Sequence, residues 1–134
     1  MAIQYSTTHR TNAMTDIVTQ CGTSAVIKIW TGTQPATCAT ADTGTLLATL
    51  TGNVTQFGTV TSGVLTLSNI TSGTAGNTGA TGYFRIYPSA ATSTNAVIQG
   101  TAGTAGDLVL SSGTINSGNT VSITNGATIT AFGA

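Results

Sequence analysis

Residues 81–89 read TGYFRIYPS, and the alternation in this stretch points to the fold. Side chains along a β-strand point to opposite faces in turn. Phe84 and Ile86 therefore share one face, and Tyr83, Arg85 and Tyr87 share the other. The stretch AVIKIWTGT at 25–33 has the same layout, with Ile27 and Ile29 on one side and Val26, Lys28 and Trp30 on the other. A lone buried cation is expensive. The pattern thus predicts that Lys28 and Arg85 mark the wet face of a sheet, and that Ile27, Ile29, Phe84 and Ile86 point into its core.

Working outward, strand-like blocks recur from residue 24 to the end. They are SAVIKIWT (24–31), GTLLATLT (44–51), VTQFGTV (54–60), GVLTLSNI (63–70), GYFRIYP (82–88), NAVIQGTA (95–102), GDLVLSS (106–112), NTVSITN (119–125) and ATITAFG (127–133). Ser62-Gly63, Ser117-Gly118 and Asn125-Gly126 carry turn chemistry between them. Eight or nine short strands at near-regular spacing predict an all-β antiparallel sandwich of the jelly-roll or Greek-key kind. The glycine-rich segment 71–82 reads as a mobile loop, and 32–43 as a second long connection. The short TSG, TAG and TGT echoes hold no fixed period, which favours a sandwich over a β-helix.

The beginning of the chain differs. Residues 1 to about 11 lack periodicity and read as an extended arm that carries Tyr5, His9 and Arg10 as contact residues. Over 11–22, Ala13, Met14, Ile17, Val18 and Cys21 fall on one helical stripe. Thr11 or Asn12 is placed to cap this short helix and Gly22 to end it. The expected organisation is an arm and helix over 1–22 and a β-sandwich over 23–134.

Composition narrows the function. The chain has 134 residues, one domain's worth, with three Lys or Arg, three Asp, no Glu and zero net charge. Phosphate recognition needs clustered cations, so nucleic acid is not an expected partner. Thr, Ser, Asn and Gly must supply the polar surface. Thr suits strands because its β-branch stiffens χ1. A neutral surface of this kind favours self-association and life inside an assembly. The first residues lack a signal-peptide pattern, so export is not expected, and no apolar run is long enough to span a membrane. Cys21 and Cys38 lack metal-ligand spacing and read as free thiols.

Catalysis needs convergent titratable groups. One histidine, His9, and three scattered aspartates, Asp16, Asp42 and Asp107, offer none. No G-x-S-x-G occurs. Neither an enzyme, a metal site nor a cofactor is expected. Paired Thr-x-Thr triplets lack the repeat that a lattice-matching surface needs. The residues that stand out are Lys28, Trp30, Tyr83, Arg85 and Tyr87. One reading makes them rings and stems covering a sheet. The other makes them a partner-binding face, since Trp, Tyr and Arg commonly anchor interfaces.

The order RTNAM, IKIWTGTQPA (27–36), GTLLATLT (44–51), GVLTLSNITS (63–72), GYFRIYPS (82–89), VIQGTAGTAGDLVL (97–110) and SGNTVSIT (117–124) resembles a family of small tailed-bacteriophage virion proteins. Within it the chain looks most like a capsid decoration, or cement, protein. The resemblance covers most of residues 10–130. It implies a non-enzymatic protein, assembled in host cytoplasm and displayed on the virion, that binds the outer capsid surface and bridges neighbouring copies of the major capsid protein. A homo-oligomer, trimer before dimer, is expected at local symmetry axes. The competing expectation is a tail or fibre module that stacks cell-surface glycan on Trp30, Tyr83 and Tyr87.

Overall fold

Helix α1 (Thr7–Cys21) opens on Ser6, whose extended backbone and side-chain hydroxyl cap it by accepting from the His9 N–H at 3.1 Å. The computed structural model describes residues 3–54, 56–123 and 127–131. The helix begins earlier than the apolar stripe suggested, and His9 and Arg10 lie in its first turns rather than on an extended arm. The cap accounts for the difference, because Ser6 satisfies an amide that would otherwise lack a partner. Tyr5 also stacks on His9, with ring centroids 5.0 Å apart. Gly22 ends the helix as expected, its N–H returning to the Val18 carbonyl at 3.0 Å. Met14 and Cys21 are buried on the inner side.

Short strands make up the rest. They are β1 (Val26–Trp30), β2 (Leu46–Thr51), β3 (Gly58–Thr61), β4 (Val64–Leu67), β5 (Gly73–Thr74), β6 (Gly79–Ala80), β7 (Tyr83–Tyr87), β8 (Ile98–Gly103), β9 (Leu108–Val109), β10 (Thr114–Ile115), β11 (Thr120–Val121) and β12 (Thr128–Thr130). A five-stranded sheet runs β2-β1-β7-β8-β9, and a three-stranded sheet runs β12-β4-β3. Two small ribbons pair β10 with β6 and β11 with β5. The result is an all-β, sandwich-like arrangement with α1 packed on β3 and β4. Each expected strand block contains an observed strand, usually a shorter one. The outer parts of the 119–125 and 127–133 blocks, and the Asn125-Gly126 turn, lie outside the described residues.

Three features depart from the expectation. The pair β8–β9 is parallel. The strands β5, β6 and β10 were not foreseen. The 71–82 segment, expected as a mobile loop, carries β5 and β6 and lies along the edge of β2. There Thr51 and Thr71 form a bridge, Gly76 N–H donates to Leu47 O at 3.0 Å, and the Asn77 amide donates to Leu46 O at 2.9 Å. A glycine-rich text suggests freedom, but here it allows close backbone approach. By contrast, the Ser62-Gly63 turn joins β3 and β4 as expected. Both residues hold positive φ, 53° and 80°, as a two-residue hairpin turn of type I′ requires.

Register fixes the faces of the large sheet. Ile27 is opposite both Leu50 and Ile86, and Ile29 is opposite both Ala48 and Phe84. These rows join Leu65, Leu67, Phe57 and Ile129 in one apolar core. The inner half of the alternation therefore reads as expected. The outer half does not, and it forms the candidate site.

Candidate functional site

The same register aligns Lys28 with Arg85 and Trp30 with Tyr83 on the opposite face, and Arg85 with Gln99 on β8. Alternation thus gathers Lys28, Trp30, Tyr83, Arg85 and Tyr87 on one side, as the sequence indicated. It does not leave that side in water. Tyr83, Arg85 and Tyr87 are each 0% exposed, while Lys28 and Trp30 are half-buried. The expectation that Arg85 marks the wet face is corrected: a cation with enough partners can be buried.

The partners come from two long connections folded over the sheet. One is residues 31–45, here called the strap, which links β1 to β2. The other is 88–97, which links β7 to β8. Arg85 donates through Nε to Gln99 Oε1 at 3.0 Å and through Nη2 to Thr37 O at 2.9 Å. Its Nη1 faces Thr40 O at 2.8 Å, Asp42 Oδ1 at 2.8 Å and Ser93 O at 3.2 Å. The planar guanidinium presents donors in several fixed directions, which an ammonium cannot do. One side chain thereby ties down both connections.

The neighbouring side chains complete the clamp. Tyr83 Oη accepts from Thr43 N at 3.0 Å and donates to Thr43 O at 2.6 Å. Gln99 Nε2 donates to Pro35 O at 2.7 Å. The Tyr87 hydroxyl donates to the same Asp42 oxygen that Arg85 holds. Burial, and then the Asp42 carboxylate, push the Tyr87 phenol above its ordinary range, against the pull of Arg85. Trp30 stacks on Tyr83, with centroids 6.2 Å apart and planes 7° from parallel. Lys28 Nζ lies 5.1 Å from the centre of the Tyr87 ring, a cation–π contact.

Almost all of this holds the strap through its main chain. Of the strap's residues only Pro35 is fully buried, and none enters the apolar core. Residues that the sequence did not single out do much of the holding: Asp42, Gln99, and the carbonyls of Thr37, Thr40, Thr43 and Ser93. One signal was available. A chain with three acids placed one of them, Asp42, inside a long connection made mainly of small and hydroxyl residues. Which carbonyls would reach Arg85 left no trace in residue type, because every residue has one.

Of the residues expected on an arm, Tyr5 is exposed just before the Ser6 cap of α1 and His9 is exposed in its first turn. Arg10 is half-buried, its Cβ set where a side chain on Gly63 would meet it. Cys21 and Cys38 are unbridged. Burial pushes the Cys21 thiol up to about 12. Among the described residues, no three of His, Cys, Asp and Glu gather as a metal-holding group.

Chemically, then, the Arg85, Asp42, Tyr83, Tyr87 and Gln99 side chains of the outer face are occupied by the protein's own atoms, whereas the Trp30 indole N–H is buried without a hydrogen-bond partner among the described residues. No family model, no curated protein and no solved structure matches the chain.

Proposed function

We propose that this chain is a non-enzymatic structural protein of a tailed-phage particle. In this reading it is assembled in host cytoplasm, sits on the outer capsid surface and bridges neighbouring copies of the major capsid protein. The observation that carries the reading is the use made of Arg85, Asp42, Tyr83 and Tyr87. The chain's rare charged and aromatic side chains fasten two long connections to a rigid sheet, and the strap above them presents mainly small and hydroxyl side chains. A stiff, neutral, hydroxyl-covered body suits permanent docking. The resemblance of IKIWTGTQPA, GYFRIYPS and VIQGTAGTAGDLVL to phage virion proteins supports it independently.

A jelly-roll or Greek-key connectivity belongs to the same reading. Strand β7 returns beside β1 after a long excursion, a non-sequential neighbour of the Greek-key kind, although the parallel β8–β9 pair departs from that pattern. The tail-module alternative loses support. Its sugar platform needed Tyr83 and Tyr87 open to solvent, and both are fully buried. In the capsid reading, many copies of a modest contact add up over a repeating shell.

The test is co-sedimentation of the purified protein with shells that lack it, followed by heating. Binding in hundreds of copies per shell, with a raised temperature of shell disruption, is expected. No sedimentation with shells, or a handful of copies confined to the tail, would overturn the reading.

A further inference from the structure

The five-stranded sheet ends in β9 and the three-stranded sheet ends in β12. A groove of about 740 Å³ opens between these two edges and α1. That volume lies in the range of small-molecule sites, which are mostly apolar with a few placed polar groups. Met14, Ile17, Phe84, Ile98, Val109 and Ile129 supply its apolar part. Thr128 and Thr130 on β12, Gln99 on β8 and Asp107 beside β9 supply its polar part. Gln99 is already committed through both ends of its amide, to Arg85 and to the Pro35 carbonyl. Asp107 is the one charged side chain among the described lining residues.

The Asp107 carboxylate is set in place by its neighbours. Its Oδ2 accepts from the Thr101 N–H and from the Thr101 hydroxyl, each at 2.9 Å, and the Asp107 N–H donates back to Thr101 Oγ1 at 3.1 Å. Gly100 leaves the room for this arrangement. A Cβ there would lie 2.9 Å from Asp107 Oδ2 and 2.9 Å from Phe84 Cε1, so the carboxylate and the ring edge share the space that a side chain would take. Asp107 and Val109 are both exposed, which leaves the groove open to a visitor. The second carboxylate oxygen, Oδ1, takes no hydrogen bond among the described residues. No cation of the described residues answers its charge either. Arg85 is paired with Asp42, Lys28 lies over the Tyr87 ring, and Arg10 lies against Gly63.

We infer that this groove binds a small organic amine, an ammonium group on a short apolar body. The ammonium donates to the positioned Asp107 carboxylate, a charge-assisted bond. The Thr128 and Thr130 hydroxyls across the groove offer further acceptor oxygens. The apolar body lies against Met14, Ile17, Ile98 and Val109, where its burial adds affinity. An anion would meet a carboxylate and no cation. A neutral apolar molecule would cover Asp107 without giving its charge a partner, which costs free energy. The inference goes beyond the capsid reading and does not depend on it. It is measured on the purified protein with no shell present, so either reading can fail without the other.

The experiment is isothermal titration of the full chain at low salt with hexylammonium, hexanol and hexanoate. Hexylammonium is expected to saturate one site, and the other two to bind at least about tenfold more weakly. Amide shifts in NMR should move around residues 84, 98 and 106–109. Asp107→Asn should weaken hexylammonium by about tenfold and remove its preference over hexanol. Asp16→Asn, which changes an exposed carboxylate on α1 outside the groove lining, should alter nothing. Val109→Ser trims the apolar wall at an exposed position. It should weaken hexylammonium by about threefold and keep the preference over hexanol. Absence of saturable amine binding would overturn the inference. So would hexanol binding as well as hexylammonium, binding that survives Asp107→Asn, or shifts centred elsewhere. Tighter binding of the peptide acetyl-Leu-Lys-Leu-amide would overturn it in favour of a lysine on a protein partner. Amine binding that appears only after removal of residues 132–134 would overturn it as well, by making the chain's own end the occupant.

Discussion

Lys28 and Arg85 stand directly opposite each other on β1 and β7, yet their environments differ sharply. Arg85 is fully buried under the strap, and Lys28 is half-buried with its ammonium over the Tyr87 ring. Like charges placed directly across a strand pair repel. Here Asp42 sits within 2.8 Å of Arg85, and the aromatic face beneath Lys28 supplies a second source of negative potential. The pair is tolerated because Arg85 has a carboxylate as counter-charge and Lys28 has the face of the Tyr87 ring. Arg85 therefore works as an internal fastener rather than a contact residue.

Replacing Arg85 tests that role. Arg85→Met keeps the apolar bulk but leaves Asp42 without its cation and the carbonyls of Thr37, Thr40 and Ser93 without their donor. Breaking a buried pair by removing one partner costs about 3–5 kcal/mol, and the expected drop in melting temperature is on the order of 10 °C. Arg85→Lys should recover only part of it, since an ammonium cannot reach both connections at once. Asp42→Asn should be costly too, and the double variant should lose less than the sum of the two singles, because the residues act as one unit. Broad-specificity proteolysis should cut Arg85→Met within 32–45 while the parent resists. A melting change under one degree would show that the strap does not depend on Arg85.

Alkali should loosen the fold through two groups, and the sign follows from the direction of their shifts. Tyr87 is raised by burial and by Asp42, and Cys21 is raised by burial to about 12. A group raised in the folded state favours folding below its unfolded value, and that contribution is lost as pH climbs. The stability contributed by Cys21 should fall between about pH 9 and 12, and that of Tyr87 from about pH 10 upward. Denaturant midpoints measured from pH 7 to 11 should decline, and Tyr87→Phe should flatten the decline while lowering stability at pH 7 by about 1 kcal/mol. A midpoint that rises with alkali would contradict the burial of both groups.

Particular residues show how far the sequence could be read. The inner rows, Ile27 and Ile29 against Phe84 and Ile86, were legible because period-two alternation is a local property of the chain. The Ser62-Gly63 hairpin was legible for the same reason. The outer row was legible as a row and misread as a surface. Whether Tyr83, Arg85 and Tyr87 meet water depends on where residues 31–45 and 88–97 travel, and nothing near residue 85 encodes that. The rule that a lone cation faces water failed because its premise failed: five protein acceptors surround Arg85. The early start of α1 was missed because the apolar stripe begins at Ala13, whereas the helix begins at its Ser6 cap.

The two thiols should differ in reactivity. Cys21 is 2% exposed and its thiol is held up at about 12 by burial, and the thiolate is the reactive form. Cys38 is half-buried in the strap. Ellman's reagent at neutral pH should titrate one thiol in the native protein and two in denaturant. Cys38→Ser should abolish the native signal, and Arg85→Met should speed it by loosening the strap. Two fast native thiols would mean that Cys21 is not buried against the core at the end of α1.

Glycine positions separate close approach from simple flexibility. A Cβ on Gly82 would lie 1.9 Å from the Gly32 carbonyl oxygen, and one on Gly73 would lie 2.0 Å from the Thr49 carbonyl oxygen. Backbone atoms cannot yield at those distances without moving a strand. A Cβ on Gly76 would meet nothing within 4 Å, although its N–H is bonded to Leu47 O. Gly82→Ala and Gly73→Ala should therefore each cost several kcal/mol, of order 2–4, as overpacking does. Gly76→Ala should fall within about 0.5 kcal/mol of the parent or stabilise it slightly by restricting the unfolded chain. If 71–82 were an unattached loop, all three substitutions would be equally harmless in urea denaturation. A graded result instead ties the glycine-rich segment to the edge of β2 and to the start of β7, where it delivers Tyr83 and Arg85 to the strap.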